Sequence, residues 1–160
     1  MERFNALSSS QAEERLYSCL ANRRWAVELT AGRPYSDVDS LVETASSELD
    51  GMSDEEWLAA VRAHPRIGEG GGDTPEASAD EQKRAMTAAS QTLDALAVEN
   101  RRYEDRFGHV FLIAASGRSG EEILAELRRR MSNDRTTELG EAKRELRKIV
   151  RLRIGKMLSA

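Results

Sequence analysis

The stretch His64-Pro65-Arg66-Ile67-Gly68 marks the point at which a predicted amphipathic helix ends and a glycine-rich loop begins. Pro65 disfavours the α conformation for the residue before it, so the helix must end at or before His64. One of the two imidazoles of the chain is therefore placed at a helix end. The sequence on either side of this stretch decides whether it is a catalytic position or only a helix stop.

Composition limits the classes of protein to which the chain can belong. Its 160 residues predict one domain, residues 1–160, long enough to bury a core without disulfides or metals. The net charge of −4 argues against nucleic-acid binding. No apolar run approaches the roughly 18 residues of a membrane span, and no secretory leader is apparent, so the cytoplasm is the expected compartment. The single cysteine, Cys19, is interpreted as a small buried hydrophobe.

Helical periodicity and helix-start signals run through most of the chain. Capping-box patterns occur at Ser10 with Glu13, Ser53 with Glu56, Ser78 with Glu81, and Ser119 with Glu122. Apolar residues follow each of them at helical spacing, and no dependable pair of strands is found. The sequence therefore predicts an all-α, single-domain bundle of about seven or eight helices.

Two short segments have more specific interpretations. The apolar run Val110–Ala115 is bounded by Gly108 and Gly117, and periodicity cannot distinguish a buried strand from a buried helix there. Arg128–Arg130 share a predicted helix with several glutamates, which favours a solvated, ion-paired helix face.

Three positions carry the chemistry that the residue types allow. His64 at a helix carboxyl end is a plausible proton donor, and Glu81 lies in the first turn of a predicted helix, whose free amides favour anions. On local pattern alone, a helix cap is the favoured interpretation of both residues. Near the C-terminus, either Arg151 or Arg153 can face inward, and the spacing of the apolar residues does not decide between them.

Other kinds of catalytic site are not indicated. No Ser-His-Asp order, nucleophile elbow, metal-ligand spacing or nucleotide fingerprint occurs in the sequence. An enzyme with this sequence would be expected to work without a metal or cofactor, by acid–base chemistry and electrostatic positioning.

The motifs, in their order and spacing over nearly the whole chain, resemble those of the 2-oxo-4-hydroxy-4-carboxy-5-ureidoimidazoline (OHCU) decarboxylases of urate breakdown. The matching motifs are Phe4-Asn5 with Leu7, Arg24-Trp25-Ala26, Arg33-Pro34-Tyr35, Ala63-His64-Pro65-Arg66-Ile67-Gly68-Glu69, Ser78-x-x-Glu81-Gln82, Asn100-x-x-Tyr103, Arg106-Phe107-Gly108-His109-Val110-Phe111, Asn133-Asp134-Arg135 with Glu138, and Lys148-Ile149-x-x-Leu152-Arg153-Ile154.

The resemblance implies a cofactor-independent, all-helical enzyme that converts OHCU to (S)-allantoin with loss of CO₂ and is able to form a homodimer. It implies His64, Glu81 and Arg153 as the catalytic residues, with Arg151 as the alternative arginine. The implied substrate-binding residues are Pro65, Ser78, Gln82, Phe111, Leu112, Ile113, Ala114 and Ala115. Besides a second copy of the chain, the expected partner is the small-molecule substrate, with no metal, no nucleic acid and no membrane.

Many members of that family read Phe-Gly-Phe-Pro-Phe where this chain has Phe107-Gly108-His109-Val110-Phe111. The replacement removes a proline before the implied substrate segment and adds a titratable group. Two rival functions follow from other readings of the same residues. One is a lyase or hydrolase acting on another ureido or imidazole acid, and the other is a helical interaction module without activity.

Overall fold

The computed structural model describes residues 1–63 and 90–159. These residues form eight helices and, within the same ranges, no strand. The helices are α1 (Glu2–Asn5), α2 (Ser9–Leu20), α3 (Arg23–Ala31), α4 (Val38–Asp50), α5 (Asp54–Arg62), α6 (Ser90–Phe107), α7 (Gly120–Arg130) and α8 (Arg135–Ser159). The all-α class is therefore confirmed.

Two of the four predicted capping boxes are confirmed. Ser53 and Glu56 exchange hydrogen bonds before α5, and Ser119 and Glu122 do so before α7, each with backbone N–H groups donating to the partner's side-chain oxygen. These bonds satisfy amides of the first turn, which have no partner within the helix. The Ser78 box lies outside the described residues.

The predicted start of α2 at Ser10 is wrong. The capping box is formed two residues earlier, by Ser8 and Gln11, whose backbone N–H groups donate to Gln11 Oε1 at 3.1 Å and to Ser8 Oγ at 3.2 Å. Gln at the third helical position closes a capping box as well as Glu does, so three consecutive serines offered more than one start.

The first of two compact units comprises Met1–Ala60 and Ile149–Ala160. Within it α2 packs against α3 and α3 against α4. Trp25 is fully buried and its indole N–H donates to the carbonyl of Ala45 at 3.0 Å, which links α3 to α4. Cys19 is also buried, as predicted.

The second unit comprises Val61–Lys148. Within it α6 packs against α7. Its core brings together residues of α6, of the connection after α6, and of α7: Leu96, Tyr103, Phe107, Phe111, Ile113, Ala115, Ile123, Leu124 and Leu127. The segment proposed to contact substrate is thus part of this core.

Candidate active site

Several residues implied for the site lie outside the described residues. These are His64, Pro65, Ser78, Glu81 and Gln82, together with the predicted glycine-rich loop between Arg66 and Ala77. The helix before them, α5, ends at Arg62, which agrees with the prediction that it stops at or before His64. The roles of these five residues stay predictions.

The segment Phe111–Ala115 has no regular secondary structure. It follows Gly108, whose φ of +80° lies in the left-handed region where a side chain would be strained, and whose N–H donates to Glu104 O at 2.8 Å to end α6. Of the two conformations left open by the sequence, a buried helix is excluded. The segment is a buried, irregular connection between α6 and α7.

Two side chains from helices hydrogen-bond the main chain of this segment. Arg130 Nη1, from the end of α7, donates to the carbonyl oxygen of Leu112 at 2.7 Å. The N–H of Ala114 donates to Glu145 Oε2, on α8, at 2.8 Å. Both bonds have one ionised partner, which makes them stronger than bonds between neutral groups.

Arg130 is completely buried, so its predicted place on a solvated face is wrong. Its Nε donates to Glu138 Oε1 at 2.9 Å, its Nη2 donates to the same oxygen, and the hydroxyl of Tyr103 also donates to that oxygen. Its guanidinium carbon lies 4.6 Å from the ring centroid of Phe111. Arg129 keeps the predicted role, since it is exposed and paired with Glu126.

The charges of this buried network are well defined. Burial, followed by the hydrogen bond to Glu138, raises the pKa of the Tyr103 hydroxyl. Burial acts to lower the pKa of Arg130, but the hydrogen bonds and charge interactions with Glu138 and Tyr103 together more than offset it, and the net shift is upward. Tyr103 therefore remains a proton donor, and Arg130 remains a cation at any pH at which the protein is folded.

His109 packs beside this network. Its ring meets that of Tyr103 edge-on, with centroids 5.5 Å apart, and its Nδ1 lies 3.0 Å from the carbonyl oxygen of Val110. Burial lowers the pKa of His109, so the imidazole is neutral at pH 7.

Arg153 and Arg151, in the first unit, have opposite surroundings. Arg153 is 3% exposed, and its Nη1 donates to the carbonyl oxygen of Cys19 at 3.0 Å. Arg151 has a side chain 68% exposed and lies 3.5 Å from the exposed Asp39. Arg153 is the inward-facing arginine of the two.

The residues that sequence reasoning missed are Arg130 and Glu145. A signal for Arg130 existed: Ile123, Leu127 and Arg130 are spaced at i, i+4 and i+7, which puts the arginine on the buried face of α7. For Glu145 the sequence contains no such signal, because its partner is a backbone amide in an irregular segment.

Within the described residues, no group of three or more His, Cys, Asp or Glu side chains could hold a metal ion. Over the same residues, none of the helices combines the length and the apolar character needed to cross a bilayer.

The chain is similar to several proteins of uric acid degradation. It is 30% identical over 159 residues to the uric acid degradation bifunctional protein of Bacillus sp. (strain TB-90), which covers 96% of this chain and 31% of that protein. It is 28% identical to the 2-oxo-4-hydroxy-4-carboxy-5-ureidoimidazoline decarboxylase of Haloferax volcanii, over 85% of this chain and 82% of that one. The chain spans less than half of the length of the bifunctional relatives that it matches.

A solved structure supports the same relationship. The crystal structure of an OHCU decarboxylase in the presence of (S)-allantoin superposes with a TM-score of 0.81 at 30% sequence identity, covering 92% of this chain and 99% of that one. The model of the OHCU decarboxylase family matches residues 5–155. The helical fold, the buried segment after α6 and this match over almost the whole sequence lead to one conclusion: the chain belongs to the OHCU decarboxylase family.

Proposed function

We propose that this chain, as one domain over residues 1–160, decarboxylates OHCU to (S)-allantoin in urate catabolism. The observation that carries the proposal is the family match over residues 5–155. The solved relative of the same fold, described in the presence of (S)-allantoin, supports the choice of product.

The chemistry of the substrate explains how such a reaction can proceed without an added electron sink. OHCU carries a carboxylate and a hydroxyl on one ring carbon, next to a C=N bond. As the bond to the carboxylate breaks, its electron pair moves into the ring and the C=N pair moves to the ring nitrogen, which takes up a proton. The hydroxyl then becomes a carbonyl, and a proton added to one face of the neighbouring carbon sets the S configuration. The protein must orient the carboxylate, stabilise the developing charge and control that face.

Each implied residue has a role in this scheme. His64 acts as the acid toward the substrate hydroxyl or ring nitrogen, and Glu81 accepts hydrogen bonds from substrate N–H or O–H groups. Arg153 holds an anionic or carbonyl oxygen of the substrate. Its burial supports this role, because a guanidinium shielded from water interacts more strongly with an oxygen that it contacts. Pro65, Ser78 and Gln82 complete the pocket with the main chain of Phe111–Ala115.

The test is to generate OHCU in situ from urate and to follow the circular dichroism of the allantoin that forms. The protein should accelerate the reaction over spontaneous decay and give the S enantiomer. A rate equal to spontaneous decay would rule out the assignment. Turnover of a different ureido or imidazole acid in a small substrate screen would instead identify that acid as the substrate.

His64→Asn tests the proposed acid in the same assay. Loss of general acid catalysis should lower kcat by about 10²–10⁴-fold. Far-UV circular dichroism and the thermal midpoint should match the wild type, since His64 is proposed to act on the substrate rather than in the core. Wild-type turnover by the variant would remove His64 from the mechanism.

We further propose that the chain acts in the cytoplasm and forms a homodimer, as the resemblance implies. Sedimentation equilibrium of the purified chain, with and without (S)-allantoin, measures the second point directly. A monomer at micromolar concentration under both conditions would contradict it.

A further inference from the structure

We propose that Arg130 and Glu145 are positioning residues that hold the main chain of Phe111–Ala115 in its substrate-binding conformation. The proposal rests on the proposed function, because it concerns the segment expected to bind OHCU. Neither side chain is among the residues implied for contact with the substrate.

The segment Phe111–Ala115 has the side-chain periodicity of an extended chain. Phe111, Ile113 and Ala115 all belong to the core of the second unit, so alternate side chains point into it. This period of two is that of an extended chain, in which main-chain groups two residues apart point to the same side. In such a chain the two anchored groups, the carbonyl of Leu112 and the amide of Ala114, share one side, and the amide and carbonyl of Ile113 take the other.

Both anchors, Arg130 and Glu145, are themselves held in place by ion pairs. Arg130 is held by Glu138, which also accepts a hydrogen bond from Asn133 Nδ2 at 2.8 Å. Glu145 uses its Oε1 for an ion pair with Lys148 Nζ at 2.6 Å, and its Oε2 for the Ala114 amide. The Arg130 cation thus binds the Leu112 carbonyl, and the Glu145 anion binds the Ala114 amide. Both charged side chains belong to regular helices.

These two hydrogen bonds hold the segment in place before the substrate binds. The segment forms no ladder with a strand in the described part of the chain, so its backbone depends on side-chain anchors for its conformation. If a binding segment is already ordered before the ligand binds, the free energy of association does not include the conformational entropy lost on ordering it. If the segment binds substrate and transition state equally, loosening it raises KM and leaves kcat nearly unchanged.

Glu145 is the better residue to test, because its side chain is 13% exposed whereas Arg130 lies in the core. Glu145→Ala should raise KM for OHCU about tenfold and leave kcat within about twofold. Glu145→Gln keeps an oxygen that can accept the Ala114 N–H and should restore KM to within about threefold of the wild type.

Glu99→Ala is the matched control. Glu99 has a similar exposure of 16% and pairs with Arg102 and Arg128. The Glu99→Ala variant should leave KM unchanged even if its thermal midpoint falls. This result would distinguish an effect on the position of the binding segment from a general loss of stability. The Ala114 amide, followed by nitrogen-15 NMR, should exchange faster in Glu145→Ala than in either the wild type or Glu145→Gln.

The outcomes separate this proposal from the proposed function. A wild-type protein that does not turn over OHCU overturns both. An active wild type with an unchanged KM in Glu145→Ala overturns the positioning role alone. The same holds if Glu99→Ala raises KM equally, if Glu145→Gln fails to restore it, or if exchange of the Ala114 amide is unaltered.

Discussion

Arg151 and Arg153 differ by two positions on α8 and have very different energetic roles. The ion pair of Arg151 with Asp39 joins two exposed side chains, and such pairs contribute little because water and salt screen them. Arg153 is desolvated, so each of its hydrogen bonds is made in a medium of low polarity.

Substitution by lysine should therefore affect catalysis at Arg153 much more than at Arg151. Arg153→Lys should lower kcat/KM for OHCU by about 30-fold or more, since one ammonium cannot replace a guanidinium that binds the Cys19 carbonyl and is proposed to bind a substrate oxygen as well. Arg151→Lys should stay within about twofold of the wild type. Steady-state kinetics of both variants, with thermal midpoints measured alongside, checks this. Equal kinetics would remove Arg153 from the proposed site.

Burial of single residues was only partly predictable. Cys19 was predicted to be buried and is, because its small, apolar side chain behaves as a hydrophobic residue. Arg130 was missed because it follows two exposed arginines, and charge composition outweighed the spacing of the apolar residues. The choice between Arg151 and Arg153 required the fold, because α8 carries apolar residues widely around its axis.

At the level of elements, helix ends are decided by a few polar hydrogen bonds. The boxes at Ser53 and Ser119 were predictable because one sequence pattern fits one helix start. The start of α2 was not, because adjacent serines compete for the capping position. The conformation of Val110–Ala115 was not predictable either, since its anchors come from α7 and α8, distant in sequence.

The same substitution should have opposite effects at the cap and in the middle of a helix. Ser119→Ala removes the acceptor for the Glu122 N–H and should lower the free energy of unfolding by about 1 kcal/mol. Ser46→Ala, within α4, removes only a bond from Ser46 Oγ to the Val42 carbonyl and should be neutral or raise stability by a few tenths, about 0.5 kcal/mol at most. Urea unfolding measures both. Equal losses would mean that the box at Ser119 does not determine the stability of α7.

For the molecule as a whole, stability should fall with acid in two separate pH ranges. Burial lowers the pKa of His109, so the unfolded chain binds a proton more readily than the folded chain does. The contribution of His109 to the free energy of unfolding is therefore complete above about pH 6.5 and is lost as the pH falls below that value. Hydrogen bonds from Arg129 lower the pKa of Glu126 and of Glu141. The contribution of these two carboxylates to the free energy of unfolding is therefore complete above about pH 4.5 and is lost as the pH falls below that value.

Urea unfolding between pH 8 and pH 3 checks both ranges. His109→Phe should abolish the decline that begins below about pH 6.5 and leave the decline that begins below about pH 4.5. Added salt at about 1 M should reduce the lower decline, because it screens the exposed pairs of Arg129. An unchanged upper decline in His109→Phe would mean that another group titrates there.

The fold class and the family could be read from the sequence because both rest on patterns spread over the whole chain. The helical periodicity predicted the all-α fold, and the ordered motifs predicted the family that the match over residues 5–155 confirms. The placement of the site residues was less accessible. It depends on hydrogen bonds between side chains and an irregular backbone, for which no periodic pattern exists.

The buried pair of Arg130 and Glu138 has a consequence for how sequences of this kind can diverge. Replacing one member alone leaves the other as an unpaired buried charge, at a cost of about 3–5 kcal/mol, whereas replacing both by apolar residues of similar volume can be neutral. The hydroxyl of Tyr103 and the carbonyl of Leu112 would lose partners in the same event. We therefore expect evolutionary change at these positions to be concerted, with related chains keeping the pair intact or exchanging both members together.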